Sequence, residues 1–211
     1  MLKISDLILE IVEENHLLSA GIAEGILNLS QVARLIHPLL EVRAKKEIKV
    51  SAIIMNLSRL TNNFVKLKEI NFSLKKIIVN SGLSIITFPN LPEIDAKVYQ
   101  VYSFLKKQEG YITISHGGGE ITIITEEKYI NKIKEIIQFK EKALISNVSS
   151  VGVVFDQKYG NESGILYALI QSISMQGINI LEISSTYTEF ICYIDSKYRS
   201  LCFNTLQKKF F

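Results

Sequence analysis

The stretch ITISHGGGEITIITEEKY (residues 112–129) recurs without a gap as LEISSTYTEFICYIDSKY (residues 181–198). An offset of 69 positions lays Ile114 on Ile183, Ser115 on Ser184, Glu120 on Glu189, Lys128 on Lys197 and Tyr129 on Tyr198. Each copy alternates apolar and polar residues, breaks at a few small or polar residues, then alternates again. That pattern predicts strand, turn, strand and the charged start of a helix. A repeat of this kind governs how its surroundings are read.

Upstream of the first copy, IIVNSGLSIITF (77–88) is rich in β-branched and aromatic residues and predicts a strand, with a bulge near Gly82. PNLPEIDAKVYQVYSFLKKQEG (89–110) predicts a helix that opens at Pro92 and is capped by Gly110, its buried face Val98, Val101, Tyr102 and Leu105. After the first copy a second helix follows, with Ile130, Ile133, Ile136 and Ile137 inward. The order then repeats: strand ALISNVSSVGVVF (143–155), polar loop DQKYGNESG (156–164), helix ILYALIQSISMQG (165–177), the second copy, and a last helix to residue 211. Two β-α-β-β-α units predict an α+β chain with tandem ferredoxin-like sandwiches, the matched hairpins being their central strand pairs.

The first 72 residues read differently. Ile4, Leu7, Ile8 and Ile11 fall at helical spacing after Ser5 or Asp6 as cap. A second apolar stretch runs from Leu17 to Leu27. A third helix, capped by Asn28 or Ser30, presents Val32, Leu35, Ile36 and Leu39, and Pro38 should kink or stop it near His37. A fourth, opening at Ser51, presents Ile53, Ile54, Leu57 and Leu60, and residues 62–76 form a helix end or a wing and then a linker. Short helices with tight links predict a helix-turn-helix or winged-helix module. The expected domains are 1–72, 73–141 and 142–211.

The chain has 211 residues, 47% hydrophobic, with 24 basic and 21 acidic residues and a net charge of +3. So mild a balance names no nucleic-acid or membrane partner. Locally, however, Arg43, Lys45, Lys46, Lys49, Arg59, Lys66, Lys68, Lys75 and Lys76 face only Glu47 and Glu69 as acids. Such a patch suits phosphate contact, with Lys45, Lys46, Lys49, Asn56 and Arg59 as candidate DNA contacts; the alternative is a solvated face in a lysine-rich protein. Early acids in MLKISDLILEIVEEN argue against a signal peptide, and no apolar run reaches membrane-spanning length, so a cytoplasmic setting is expected. Cys192 and Cys202, without metal-ligand spacing, are expected as buried free thiols.

His116-Gly117-Gly118-Gly119 matches an oxyanion-hole string of some esterases, but no GxSxG elbow accompanies it, and the repeat places it in a hairpin turn where glycines supply positive φ. His16, His37 and His116 lie in separate segments. Glu120 and Glu189, equivalent by repeat, are expected to serve the fold. No catalytic residue, metal or cofactor is expected.

VSSVGVVF, a glycine-containing loop, a helix ending in QGINI, and EISS…TEFICYID together resemble the second ACT domain in the regulatory half of aspartate kinases. The unit ending GYITISHGGGEITIITEE resembles the first ACT domain of such a tandem, so the resemblance spans about residues 75–211. NLSQVARLIHPLLE and VSAIIMNLSRL are similar to a helical segment that precedes ACT domains in some predicted regulators of amino-acid metabolism. The resemblance implies a regulator that binds an amino acid or similar metabolite between ACT domains, and the exposed edge strands expected of such sheets invite pairing into a homodimer. It implies an effector site at Phe155, Asp156, Gly160, Asn161, Glu162, Ser163, Gly164 and Ile165, with Asn179 and Ile180 from a facing strand. Ser163 departs from the proline usual before that glycine, and the first unit, with FPNLPEI, lacks the glycine altogether. A transcriptional output and a regulatory or scaffolding role on a partner enzyme both fit.

Overall fold

The computed structural model describes residues 3–63 and 72–211. The chain divides into two compact units, Met1–Glu69 and Ile70–Phe211.

The first unit is helical: α1 (Ile4–Glu13), α2 (His16–Ala23), α3 (Leu29–Ala44) and α4 (Val50–Leu60). The Asn15 carboxamide oxygen accepts the amides of Leu17 and Leu18, and that of Asn28 accepts those of Ser30 and Gln31, so asparagines start α2 and α3. The expected serine caps of α1 and α4 are not used. Lys3 and Lys49 occupy those positions without a side-chain bond, and Ser5 and Ser51 lie inside the helices. Leu7, Ile8, Ile11 and Val12 pack with Ile36, Leu40, Ile53 and Leu57 in one core. On α3 the buried side is Val32, Ala33, Ile36 and Leu40, whereas Leu35 and Leu39 are exposed, a rotation from the expected face.

Pro38 does not stop α3, which continues to Ala44. A proline inside a helix costs about 3 kcal/mol. Apolar side chains buried on both sides of it, at roughly 1.5–3 kcal/mol each, outweigh that cost. Replacing it should therefore stabilise the unit. Pro38→Ala is expected to add about 1–3 kcal/mol, read as a higher urea midpoint, and an unchanged midpoint would contradict this account.

No strand occurs among described residues 3–63. The expected wing, with Lys66, Lys68 and Glu69, falls largely on residues 64–71, outside the described residues.

The second unit contains β1 (Leu74–Pro89), α5 (Pro92–Lys107), β2 (Thr113–His116), β3 (Glu120–Glu126), α6 (Ile130–Ile137), β4 (Ala143–Phe155), α7 (Ile165–Ser174), β5 (Ile180–Ser185), β6 (Glu189–Asp195) and α8 (Arg199–Phe210). The six strands form one antiparallel sheet in the order β2-β3-β1-β4-β6-β5. The repeated hairpins are therefore outer pairs, and the long strands β1 and β4 take the centre. A charge-poor, β-branched strand is the one that tolerates neighbours on both edges.

β1 and β4 each serve two half-sheets. Residues 83–89 of β1 pair with β3 and, in part, with residues 143–148 of β4. Residues 74–80 of β1 pair with residues 150–155 of β4, which in turn pairs with β6. Each β-α-β-β-α repeat thus receives its fourth strand from the other. The division between halves falls at paired bulges. One extra residue enters β1 between Asn80 and Leu83, where Gly82 takes φ 72°, and one enters β4 between Val148 and Ile145, where Asn147 takes φ 59°. Arg199 Nη1 donates to Ser81 Oγ at 2.8 Å, and Glu127 Oε1 accepts the Asn147 amide at 2.6 Å, so a residue near the end of the first repeat copy and one just after the second each brace a bulge.

On one face α5 and α6 cover Ile86, Phe88, Ile121 and Ile123, and α7 and α8 cover Val151, Val153, Phe190, Cys192 and Ile194. Tyr102 of α5, expected inward, is exposed, and the left-handed residue after α5 is Glu109 rather than Gly110. Cys192 and Cys202 are buried free thiols, and the hydrogen bond between them, with burial, pushes the Cys192 thiol far up.

Among the described residues the apolar cluster on the opposite face contains no helix residue, yet Leu83, Ile85, Ile124, Val148 and Tyr193 are buried there. The sheet accomplishes this by curling. Tyr193 Oη donates to Thr113 Oγ1 of β2 at 2.8 Å, and it lies 2.8 Å from Tyr111 Oη and 3.3 Å from Ser184 Oγ. In a flat sheet β6 and β2, four strand spacings apart, would be separated by about 19 Å. Burial and the Tyr111 phenol raise the Tyr193 pKa above the ordinary phenol value, opposed in part by the Ser184 and Thr113 hydroxyls.

Candidate functional site

The two halves differ most between first strand and first helix. In the first half only Asn90 and Leu91 separate β1 from α5, and Asn90 is spent on the hairpin: its amide reaches Gly119 O at 3.1 Å and its Nδ2 reaches Gly117 O at 2.9 Å. The Gly117 amide closes the turn on Glu120 O at 2.8 Å. The HGGG string is thus a turn clasped by Asn90, and exposed His116 lies 4.0 Å from Asp95.

In the second half the link is Asp156–Gly164, and it borders a cleft of about 320 Å³. Phe155, Gly160, Glu162, Gly164 and Ile165 of the expected set line it. So do Tyr159, Leu166, Tyr167 and the β5–β6 turn, Ser185, Thr186 and Tyr187, which the sequence reading did not single out. Aromatic residues flanking a glycine loop and a turn of the repeat were the available signal. Gly160 is required by this wall. A Cβ there would lie 2.9 Å from the Tyr187 ring. Gly164 sets the cleft's floor at the start of α7. It adopts φ 95°, a conformation open mainly to glycine, and offers no side-chain cap. The first-turn amides of a helix lack intrahelical acceptors and attract a carboxylate.

Other expected residues lie elsewhere. The Asp156 carboxylate accepts the Lys158 amide at 3.0 Å and pairs with Lys75 at 3.0 Å, and these partners hold it below the usual carboxylate range. Asn161 and Ser163 are exposed and do not line the cleft. Asn179 and Ile180 border a separate depression with Ile170, Ser174, Leu181 and Glu182. Within one chain the loop and this strand start do not meet in one pocket.

In the helical unit Lys45, Lys46 and Lys49 are exposed at the α3–α4 link, without ion pairs among the described residues. Arg59 stands ten residues further along α4, about 15 Å away. Asn56 Nδ2 donates to Ala52 O at 2.8 Å, so part of its amide serves its own helix. Among the described residues no His/Cys/Asp/Glu cluster is arranged for a metal, and no helix is long and apolar enough to cross a membrane.

The fold is of the ACT type: ferredoxin-like halves joined through shared strands in one antiparallel sheet. No protein-family model and no curated protein matches the sequence. Solved structures do. The regulatory subunit of aspartate kinase from Thermus thermophilus, in a ligand-free form, is 14% identical over 66% of this chain and 99% of its own, with TM-score 0.54. Aspartate kinase from Clostridium acetobutylicum is 17% identical over 68% of this chain and 36% of its own, with TM-score 0.56. A structure of aspartokinase alpha and beta subunits is 18% identical over 64% of this chain and 97% of its own, with TM-score 0.52. At these identities the likeness is one of fold.

Proposed function

We propose that this protein is a non-catalytic regulator that senses an amino acid or similar small metabolite through its ACT-like halves. The reading includes the division into a helical module (1–72) and two ACT-like halves (73–141 and 142–211). The observation that carries it is the cleft beside α7, in the half that keeps the long loop. Its dimensions suit a small metabolite, its floor offers the first-turn amides of α7 to a carboxylate, and Tyr167 and Tyr187 bring aromatic rings to its wall for an ammonium group. The aspartate kinase structures include regulatory subunits and one in complex with lysine and aspartate, which supports a metabolite ligand here.

Asn179 and Ile180 enter this reading through a second copy. Paired between chains, they would face the 156–164 loop of the neighbour and complete the second wall. The exposed edges of β2 and β5 suit such pairing. Ligand then favours one arrangement of the two copies and alters how their helical units are presented to a partner.

A thermal-shift screen of the full chain against the twenty amino acids tests the reading. A ligand at about one hundred times its Kd should add about 2.7 kcal/mol of stability. No shift from any of them at millimolar concentration would overturn the sensing role.

A further inference from the structure

A smaller cavity lies on the helix-free face of the sheet. It measures about 170 Å³ and is lined by Ile78, Asn80, Tyr111, Ser150, Gly152, Glu189 and Ile191, with Val153 and Val154. Gly152 is its floor. It sits mid-strand between Ile78 of β1 and Ile191 of β6, its two cross-strand partners. Tyr111, contributed by the first half, closes one side.

The internal repeat provides the comparison. Glu189 pairs with Val154 as Glu120 pairs with Pro89, so Gly152 corresponds to Thr87 and Ile191 to Thr122. In the first half the equivalent side chains pair with one another. Thr87 and Thr122 join hydroxyls at 3.0 Å, and Lys142 Nζ lies 2.6 Å from the Glu120 carboxylate. In the second half glycine and isoleucine replace the two threonines, and among the described residues no cation pairs with Glu189. Its carboxylate has no hydrogen bond or ion pair among the described residues, although Lys76 stands in the same cross-strand row. Asn80 Nδ2 donates to Ser150 Oγ, which leaves the Asn80 carbonyl as a second open acceptor. The lining of the cavity therefore includes two open acceptors, at Glu189 and Asn80, and two isoleucines, and no cationic side chain.

We propose that this cavity is a binding site for a compact aliphatic ammonium compound, whose charged head takes at Glu189 the place that Lys142 Nζ takes at Glu120. Space for roughly six water-sized groups sets the size, about four to six non-hydrogen atoms. The hydrocarbon body lies over Gly152 between Ile78 and Ile191. Because Tyr111 and Glu189 belong to different halves, the ligand bridges them. The site is separate from the cleft beside α7, and the compound needs no carboxylate, so this inference stands independently of the proposed effector.

Titration of the full chain with 3-methylbutylamine, followed by amide chemical shifts, tests it. Shifts should concentrate at Ile78, Gly152 and Ile191. The uncharged isostere 3-methylbutanol should bind at least about tenfold more weakly, the loss expected for a charge-assisted bond. Glu189→Gln should weaken the amine to the level of the alcohol without moving the melting temperature, and Gly152→Thr, which copies the first half, should abolish binding of both. Equal binding of amine and alcohol, unchanged amine binding in Glu189→Gln, or no localised shifts at millimolar amine would each overturn the proposal.

Discussion

Tyr193→Ala is expected to cost about 3–5 kcal/mol of unfolding free energy, the range for truncating a buried aromatic. Tyr193 is fully buried on the helix-free face, and its hydroxyl meets groups from the first hairpin and from β5. Tyr193→Phe separates the hydroxyl from the ring. It keeps the packing, leaves Thr113 and Tyr111 without their shared partner, and should cost about 1–3 kcal/mol. Because Tyr111 and Tyr193 share one bond, Tyr111→Phe added to Tyr193→Phe should cost less than the sum of the two. The pH dependence has a definite sign. The folded phenol's pKa is raised, so the unfolded chain loses its proton first. Stability from this group is present below about pH 10, the ordinary tyrosine value, and falls as pH rises beyond it. The Phe variant should lose that alkaline slope. A Phe variant as stable as the parent would show that the curl is held by apolar contact alone.

If the cleft beside α7 is the proposed effector site, Gly160→Val should remove the ligand response while leaving the unliganded melting temperature within a few degrees. Gly160 takes φ −60°, which valine also adopts, so the backbone need not change. Its new Cβ would meet the Tyr187 ring at 2.9 Å and drive that exposed ring into the cleft or away from it. The thermal shift from the responding amino acid, about 2.7 kcal/mol near saturation, should fall below detection. Thermal-shift curves for parent and variant, with and without ligand, read this directly. Retention of the full shift in Gly160→Val would remove the 156–164 loop from the binding site.

Alternation and punctuation were legible in the chain itself. The two hairpins, the bulge at Gly82, the start of α5 at Pro92, and the inward faces of α1, α4 and α6 follow from local periodicity. So does most of the cleft's loop wall, because a glycine-bearing polar loop between a strand and a helix is a local signal. Helix faces were less secure. On α3 the apolar residues exceed what one face can bury, and packing against α1 and α4 selected Ile36 and Leu40 over Leu35 and Leu39.

The sequence by itself determined the repeat and the alternation of elements, because both are written in spacings of a few residues. Tertiary structure alone decided which strands neighbour one another, since β1 and β4 meet across more than fifty residues and exchange halves at bulges that local pattern shows only in part. It also decided that the helix-free face curls on Tyr193. The pairing of Asp156 with Lys75, and the separation of Asn179 from the loop, were settled in the same way. Those outcomes depend on burial and on partners distant in the chain, which periodicity does not encode.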